Sequence, residues 1–105
     1  ISYLLYILIN MKYFDWDLEK NKKLKVERDI GFEEVVIAIQ GGKLIETSDH
    51  PNKNKYPTQS IFVIKIREYI YAVPFVEDDE KIFLKTIIPS RKLTKKFIIN
   101  NKREK

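Results

Sequence analysis

Between positions 85 and 96 the chain sets out Lys85, Ser90, Arg91, Lys92, Lys95 and Lys96, and a polar loop upstream holds the only histidine, His50, with Tyr56 six residues on. These residue types suit the handling of a phosphodiester without a metal. In such chemistry an RNA 2′-hydroxyl attacks its own phosphate while a base removes its proton. Cations hold the charge that develops on the phosphate, and an acid protonates the leaving 5′-oxygen. Arg91 and Lys85 are the candidates for the electrostatic part. His50 is a candidate acid or base, since an unperturbed imidazole titrates at about 6.5. A lysine whose pKa is lowered by basic neighbours is the other candidate base. Ser90, Lys92, Lys95, Lys96 and Tyr56 would border the RNA. Each also has an ordinary reading: a loop histidine on the surface, a run of charge on a solvated terminal helix.

The cations are unevenly placed. Residues 81–105 carry nine Lys or Arg and a single acid, Glu104, whereas the preceding residues carry eleven basic and fourteen acidic groups. A mildly acidic body of net −3 therefore joins a basic end of net +8, which gives the overall +5. With no cysteine, thiolate metal sites, disulfides and cysteine nucleophiles are excluded. One histidine leaves only carboxylates for a metal, and Glu77–Glu80 is a contiguous turn rather than a spaced ligand set, so no metal and no cofactor is expected. Gly41 and Gly42 stop a helix and do not form a phosphate-binding loop. The opening "ISYLLYILIN" is too short to cross a bilayer, which takes about 20 apolar residues. It reads either as an extra strand or as an upstream extension, the natural product then starting at Met11. The expected compartment is the cytoplasm, with no membrane partner.

Those residues need a frame to hold them. At 105 residues the chain suits one domain, expected over residues 11–100, with 101–105 a basic tail. Residues 12–16 alternate and are aromatic-rich, so they read as a strand. Asp17 can cap a helix to about Glu27 whose apolar residues are only Leu18, Leu24 and Val26. Phe32, Val35, Val36 and Ile39 are spaced for one face of a second helix, a strand being the alternative. Residues 43–47 form a short strand, and 48–60 a polar loop. The stretches 61–66, 69–76 and 81–88 are joined so closely that they form an antiparallel meander. Pro74 marks a weakly paired position. Along 81–88, alternation puts Ile82, Leu84, Thr86 and Ile88 on the core face and Lys81, Phe83, Lys85 and Ile87 on the other. Pro89 ends that strand and Ser90 caps a helix to about Asn100. The expectation is an α+β domain of order β-α-α-β-β-β-β-α, an antiparallel sheet of four to five strands with helices on one face.

The stretch "MKYFDWDLEKNKKLKVERDIGFEEVV" resembles the opening of the BrnT family, toxins of bacterial type II toxin–antitoxin systems. Phe14-Asp15-Trp16-Asp17, Lys20, Asn21 and Ile30-Gly31-Phe32-Glu33-Glu34 carry the likeness, and Ile87-Ile88-Pro89-Ser90-Arg91-Lys92 stands where the family has Ile-Ile-Ser-Ala-Arg before a basic helix. The resemblance runs from about residue 11 to 98. It implies a RelE-like fold and a ribonuclease neutralised by a cognate antitoxin, DNA being met only through that antitoxin. It also implies that Arg91 is a catalytic or phosphate-binding residue. Two places depart: Arg28-Asp29-Ile30-Gly31 replaces a Lys-His-Gly stretch, and Lys55–Gln59 replaces Glu-x-Arg. In this chain His50, Lys55 and Tyr56 are the residues available to stand in. A non-catalytic module of the same fold, binding nucleic acid or protein, is the alternative function.

Overall fold

The computed structural model describes residues 12–100, so the opening 1–10 and the tail 101–105 lie outside the described residues. The elements are β1 (Tyr13–Trp16), α1 (Leu18–Arg28), α2 (Phe32–Gln40), β2 (Leu44–Asp49), β3 (Ser60–Ile66), β4 (Tyr69–Glu77), β5 (Lys81–Leu84), the two-residue β6 (Ile88–Pro89) and α3 (Arg91–Thr94), which runs on as a π-helical turn over Lys95–Ile99. The strands form one sheet in the order β1-β5-β4-β3-β2, with β6 also on β4.

Three expectations need correction. First, the sheet is mixed: β1 runs parallel to β5, Phe14 opposite Ile82 and Trp16 opposite Leu84, while the remaining pairs are antiparallel. A parallel neighbour needs a long crossover, and everything between β1 and β5 provides it.

Second, helices cover both faces. On the first, α1 and α2 bury Leu24, Ile30, Phe32, Val35, Ala38 and Ile39 against Phe62, Ile64, Val73, Phe75, Ile82 and Leu84. On the second, Leu93, Phe97 and Ile98 of the terminal helix pack on Ile61, Val63, Ile70 and Ala72. The physical reason lies in β3, where Ile61–Ile64 are all buried. A strand apolar on both sides must be covered on both sides. Each fully buried Ile, Leu or Phe stabilises the fold by about 1.5–3 kcal/mol.

Third, residues 81–88 are not one strand. β5 pairs with Phe75–Glu77 and β6 with Tyr71–Ala72, and the chain between them leaves the ladder. Alternation therefore changes phase: Ile87 is fully buried while Ile88 is 43% exposed and Thr86 half-buried. The break faces Pro74, which has no N–H to donate, and the Pro74 carbonyl accepts from Lys85 N–H at 2.8 Å. On α1's side the Arg28 guanidinium donates to the Ile87 carbonyl and holds the break in place.

The first-turn chemistry of the helices matches the sequence. Asp17 accepts from Lys20 N–H at 3.0 Å. On α1 only Asn21 and Leu24 are buried, Leu18 and Val26 standing in solvent. The helix stops at Asp29, which adopts φ 54° as its C-cap. Asn21 then ties the two helices. Its Oδ1 accepts from Phe32 N–H at 2.7 Å, and its Nδ2 donates to both Glu33 oxygens at 3.0 and 3.1 Å. Bonds to Asn21 first, then to its own backbone and Lys25, hold the Glu33 carboxyl below its ordinary range. Gly31 fits here because a Cβ would lie 2.6 Å from both Glu33 Oε1 and Lys25 Cε. Trp16 stacks on Phe32 at 5.7 Å and completes the joint. Trp16, Asn21, Gly31, Phe32 and Glu33, all among the residues that carry the resemblance, build this joint.

Candidate RNA-binding site

The terminal helix covers only part of the second face. Beside it lies a cleft of about 320 Å³. Ile61, Val63, Ala72 and Pro74 make its floor, Ile88 and Leu93 one wall, and Glu46, Ser48 and His50 of the β2 side the other. The wall beside β4 is fixed by a knot at the start of α3. Ser90 N–H donates to the Ile70 carbonyl at 2.9 Å, and Ser90 Oγ accepts from Leu93 N–H at 3.1 Å. The buried Thr94 hydroxyl accepts from Ile70 N–H at 2.8 Å and donates to the Ser90 carbonyl at 2.7 Å. Ser90 thus caps a helix, as its position suggested, and its hydroxyl is already engaged.

His50 lies at the rim. Its Nδ1 accepts from Asn52 N–H at 3.0 Å, so the neutral ring carries its proton on Nε2. Tyr56 does not line the cleft but packs against His50 with ring centroids 4.4 Å apart and planes tilted by 39°, and Lys55 Nζ lies 5.3 Å from the Tyr56 ring. His50 and Tyr56, singled out separately in the sequence, therefore touch in space. Lys85 belongs to the same cross-strand row as the cleft: Ser48 faces Ile61, Ile61 faces Pro74, and Pro74 bonds Lys85. Three strand spacings put Lys85 about 14 Å from Ser48. Its Nζ lies 5.4 Å from the Phe83 ring. Arg91 follows cleft-lining Ile88 by three residues and precedes cleft-lining Leu93 by two, and it is exposed. Lys92, Lys95 and Lys96 are exposed on the same short helix, Lys96 resting over Phe97 at 5.0 Å.

Ion pairing divides the described cations into two groups. Lys12, Lys22, Lys25, Lys53, Lys65, Arg67 and Lys81 each pair with a carboxylate. Lys85, Arg91, Lys92, Lys95 and Lys96 make no ion pair with any described residue, and neither do Lys20, Lys23, Arg28, Lys43 and Lys55; what the first five share is their place beside the cleft and on the terminal helix. Positive charge without internal neutralisation raises the local potential and favours anions.

Sequence reasoning missed Glu46. Leu44 faces Ile64 but Glu46 faces Val63, so Ile45 is an extra residue, a β-bulge. The bulge turns Glu46 to the cleft side, beside Ser48 and His50. Only the paired register reveals it; an isolated strand gives no sign of a bulge. Arg28 was missed for a similar reason, since its partner is a backbone carbonyl 59 residues away. Among the described residues no three His, Asp or Glu side chains group to hold a metal ion, and no helix is long and apolar enough to cross a membrane.

No family model matches the chain, and no curated protein or solved structure matches it.

Proposed function

We propose that the chain is a ribonuclease toxin domain with a RelE-like fold, cutting RNA without a metal ion in the cytoplasm and neutralised by a cognate antitoxin. The observation that carries this reading is the set of unpaired cations, Lys85, Arg91, Lys92, Lys95 and Lys96, beside a cleft that holds His50 on its rim. Arg91 extends from a helix start pinned to the sheet by Ser90 and Thr94. A guanidinium held by a fixed backbone suits two oxygens of one phosphate. Lys85 adds charge from the break after β5. Lys92, Lys95 and Lys96 draw the RNA backbone in, a long-range effect that salt screens. His50 offers Nε2–H, free of a described partner, as a hydrogen-bond donor at the rim.

One observation favours the second reading, a binding module without catalysis. His50 Nδ1 already accepts from the Asn52 amide, so the ring cannot take a proton there without breaking that bond. Inducible expression in bacteria separates the two. A ribonuclease toxin halts growth and degrades RNA, and Arg91→Ala relieves both. A binding module holds RNA with steep salt dependence and leaves it whole. If the wild-type chain neither slows growth nor binds RNA, both readings fail.

A further inference from the structure

The cleft has a character that phosphate binding does not require. Its floor is aliphatic, and the one carboxylate that lines it, Glu46, forms no ion pair or hydrogen bond with any described residue. Glu46 stands there only because of the bulge at Ile45. A bulge beside a cleft re-aims a side chain. A free carboxylate repels RNA phosphates, so in an RNA-binding cleft it needs N–H donors to face. Those donors are on the bases.

The four RNA bases differ at this point. A carboxylate has two acceptor oxygens and no donor. Guanine alone offers two adjacent N–H donors on one edge, N1–H and the N2 amino group. Adenine and cytosine offer a single amino group, and uracil a single imino N–H. The neighbouring oxygen of guanine, O6, needs a donor, and His50 presents Nε2–H on the same wall. Glu46 and His50 are four strand positions apart, about 13 Å between their α-carbons. Residues four apart along an extended chain project from the same face, so Glu46 and His50 flank Ser48 and leave room for a base edge between them. The floor of Ile61, Val63, Ala72 and Pro74 suits the flat face of the ring, and a volume of about 320 Å³ holds a purine.

We infer that this cleft is a guanine-binding subsite, in which Glu46 accepts from N1–H and N2–H, His50 donates to O6, and the aliphatic floor carries the ring. The inference rests on the RNA-cleaving reading for its setting, and it adds base selectivity to that reading. It also gives His50 a recognition role.

The test uses the full chain and the four 3′-mononucleotides, titrated by calorimetry or by amide NMR shifts. 3′-GMP binds about tenfold or more tightly than 3′-AMP, 3′-CMP and 3′-UMP, the discrimination expected of one bidentate contact. Glu46→Gln, on an exposed edge strand, folds as the wild type and loses that preference. His50→Ala lowers GMP affinity but keeps part of the selectivity. Equal affinity for all four nucleotides, no binding of any, or a preference that survives Glu46→Gln overturns the subsite. So does a Glu46→Gln variant that abolishes RNA cleavage while still preferring GMP, because Glu46 is then a general base. RNA cleavage with no preference for guanosine sinks the subsite and leaves the ribonuclease reading standing. GMP selectivity in a chain that never cuts RNA does the reverse.

Discussion

Replacing Asn21 by Ala tests the joint between the two N-terminal helices. The side chain is 5% exposed, and three hydrogen bonds leave it. Phe32 is fully buried, so its amide, stripped of the Asn21 oxygen at 2.7 Å, becomes an orphan donor. A buried donor left unpaired costs about 1–3 kcal/mol. The two bonds to Glu33 add less, because that carboxylate is half in water and rehydrates. The sum is a loss of about 2–3 kcal/mol. With a urea m-value of about 1–1.5 kcal/mol/M for a domain this size, the unfolding midpoint drops by about 2 M. A pH signature accompanies it. Glu33 has a lowered pKa in the folded state, chiefly through Asn21. Its stabilising contribution is therefore present above the ordinary glutamate value, about 4.3, and is lost as the pH falls through the folded pKa. Asn21→Ala should be destabilised at neutral pH and should lose less on acidification than the wild type. A midpoint shift under about 0.5 M, measured by circular dichroism, refutes the reasoning, since it means the Phe32 amide finds another acceptor.

Gly31→Ala should strain the same joint by about 1–2 kcal/mol, because the new Cβ pushes the Glu33 and Lys25 side chains away from Asn21; thermal unfolding reads it. Thr94→Val, which orphans the buried Ile70 amide, should cost about 1–3 kcal/mol, whereas Ser90→Ala should cost about 1 kcal/mol as a lost cap; urea unfolding ranks them. Lys95→Ala and Lys96→Ala should each weaken RNA binding and lower the salt slope by about 1, with equal effect across sequences; filter binding at several salt concentrations measures it.

How far the sequence reached can be argued from a few residues. Helix α2 was legible because Phe32, Val35 and Ile39 repeat at helical spacing and all three are buried. The β3–β4–β5 meander was legible from the two short turns. The Arg67–Glu68 turn was fixed by length alone, since both residues adopt positive φ without being glycine. Arg67 is held there by the Asp29 carbonyl at 2.9 Å and by Glu34. The second helical layer was not legible. Leu93, Phe97 and Ile98 announce an amphipathic helix, but which face of the sheet it covers depends on the two-sided burial of β3. The parallel β1–β5 pair depends on long-range order and leaves no local mark. In the site, cap chemistry at Ser90 was within reach. The phase change after Leu84 and the bulge at Ile45 were not, because both come from irregular pairing with a neighbouring strand. That bulge is what brings Glu46 to the cleft.

The central claim is that unpaired cations around Arg91 serve RNA cleavage by organic groups alone. The most direct measurement incubates the purified chain with single-stranded RNA in excess EDTA, beside an Arg91→Ala variant shown to be folded by circular dichroism. The account predicts cleavage that EDTA does not suppress, fragments ending in a 2′,3′-cyclic phosphate, and a loss of about 10²-fold in rate for Arg91→Ala. Intact RNA with the wild-type chain, cleavage that requires a divalent ion, or an Arg91→Ala rate equal to wild type contradicts it.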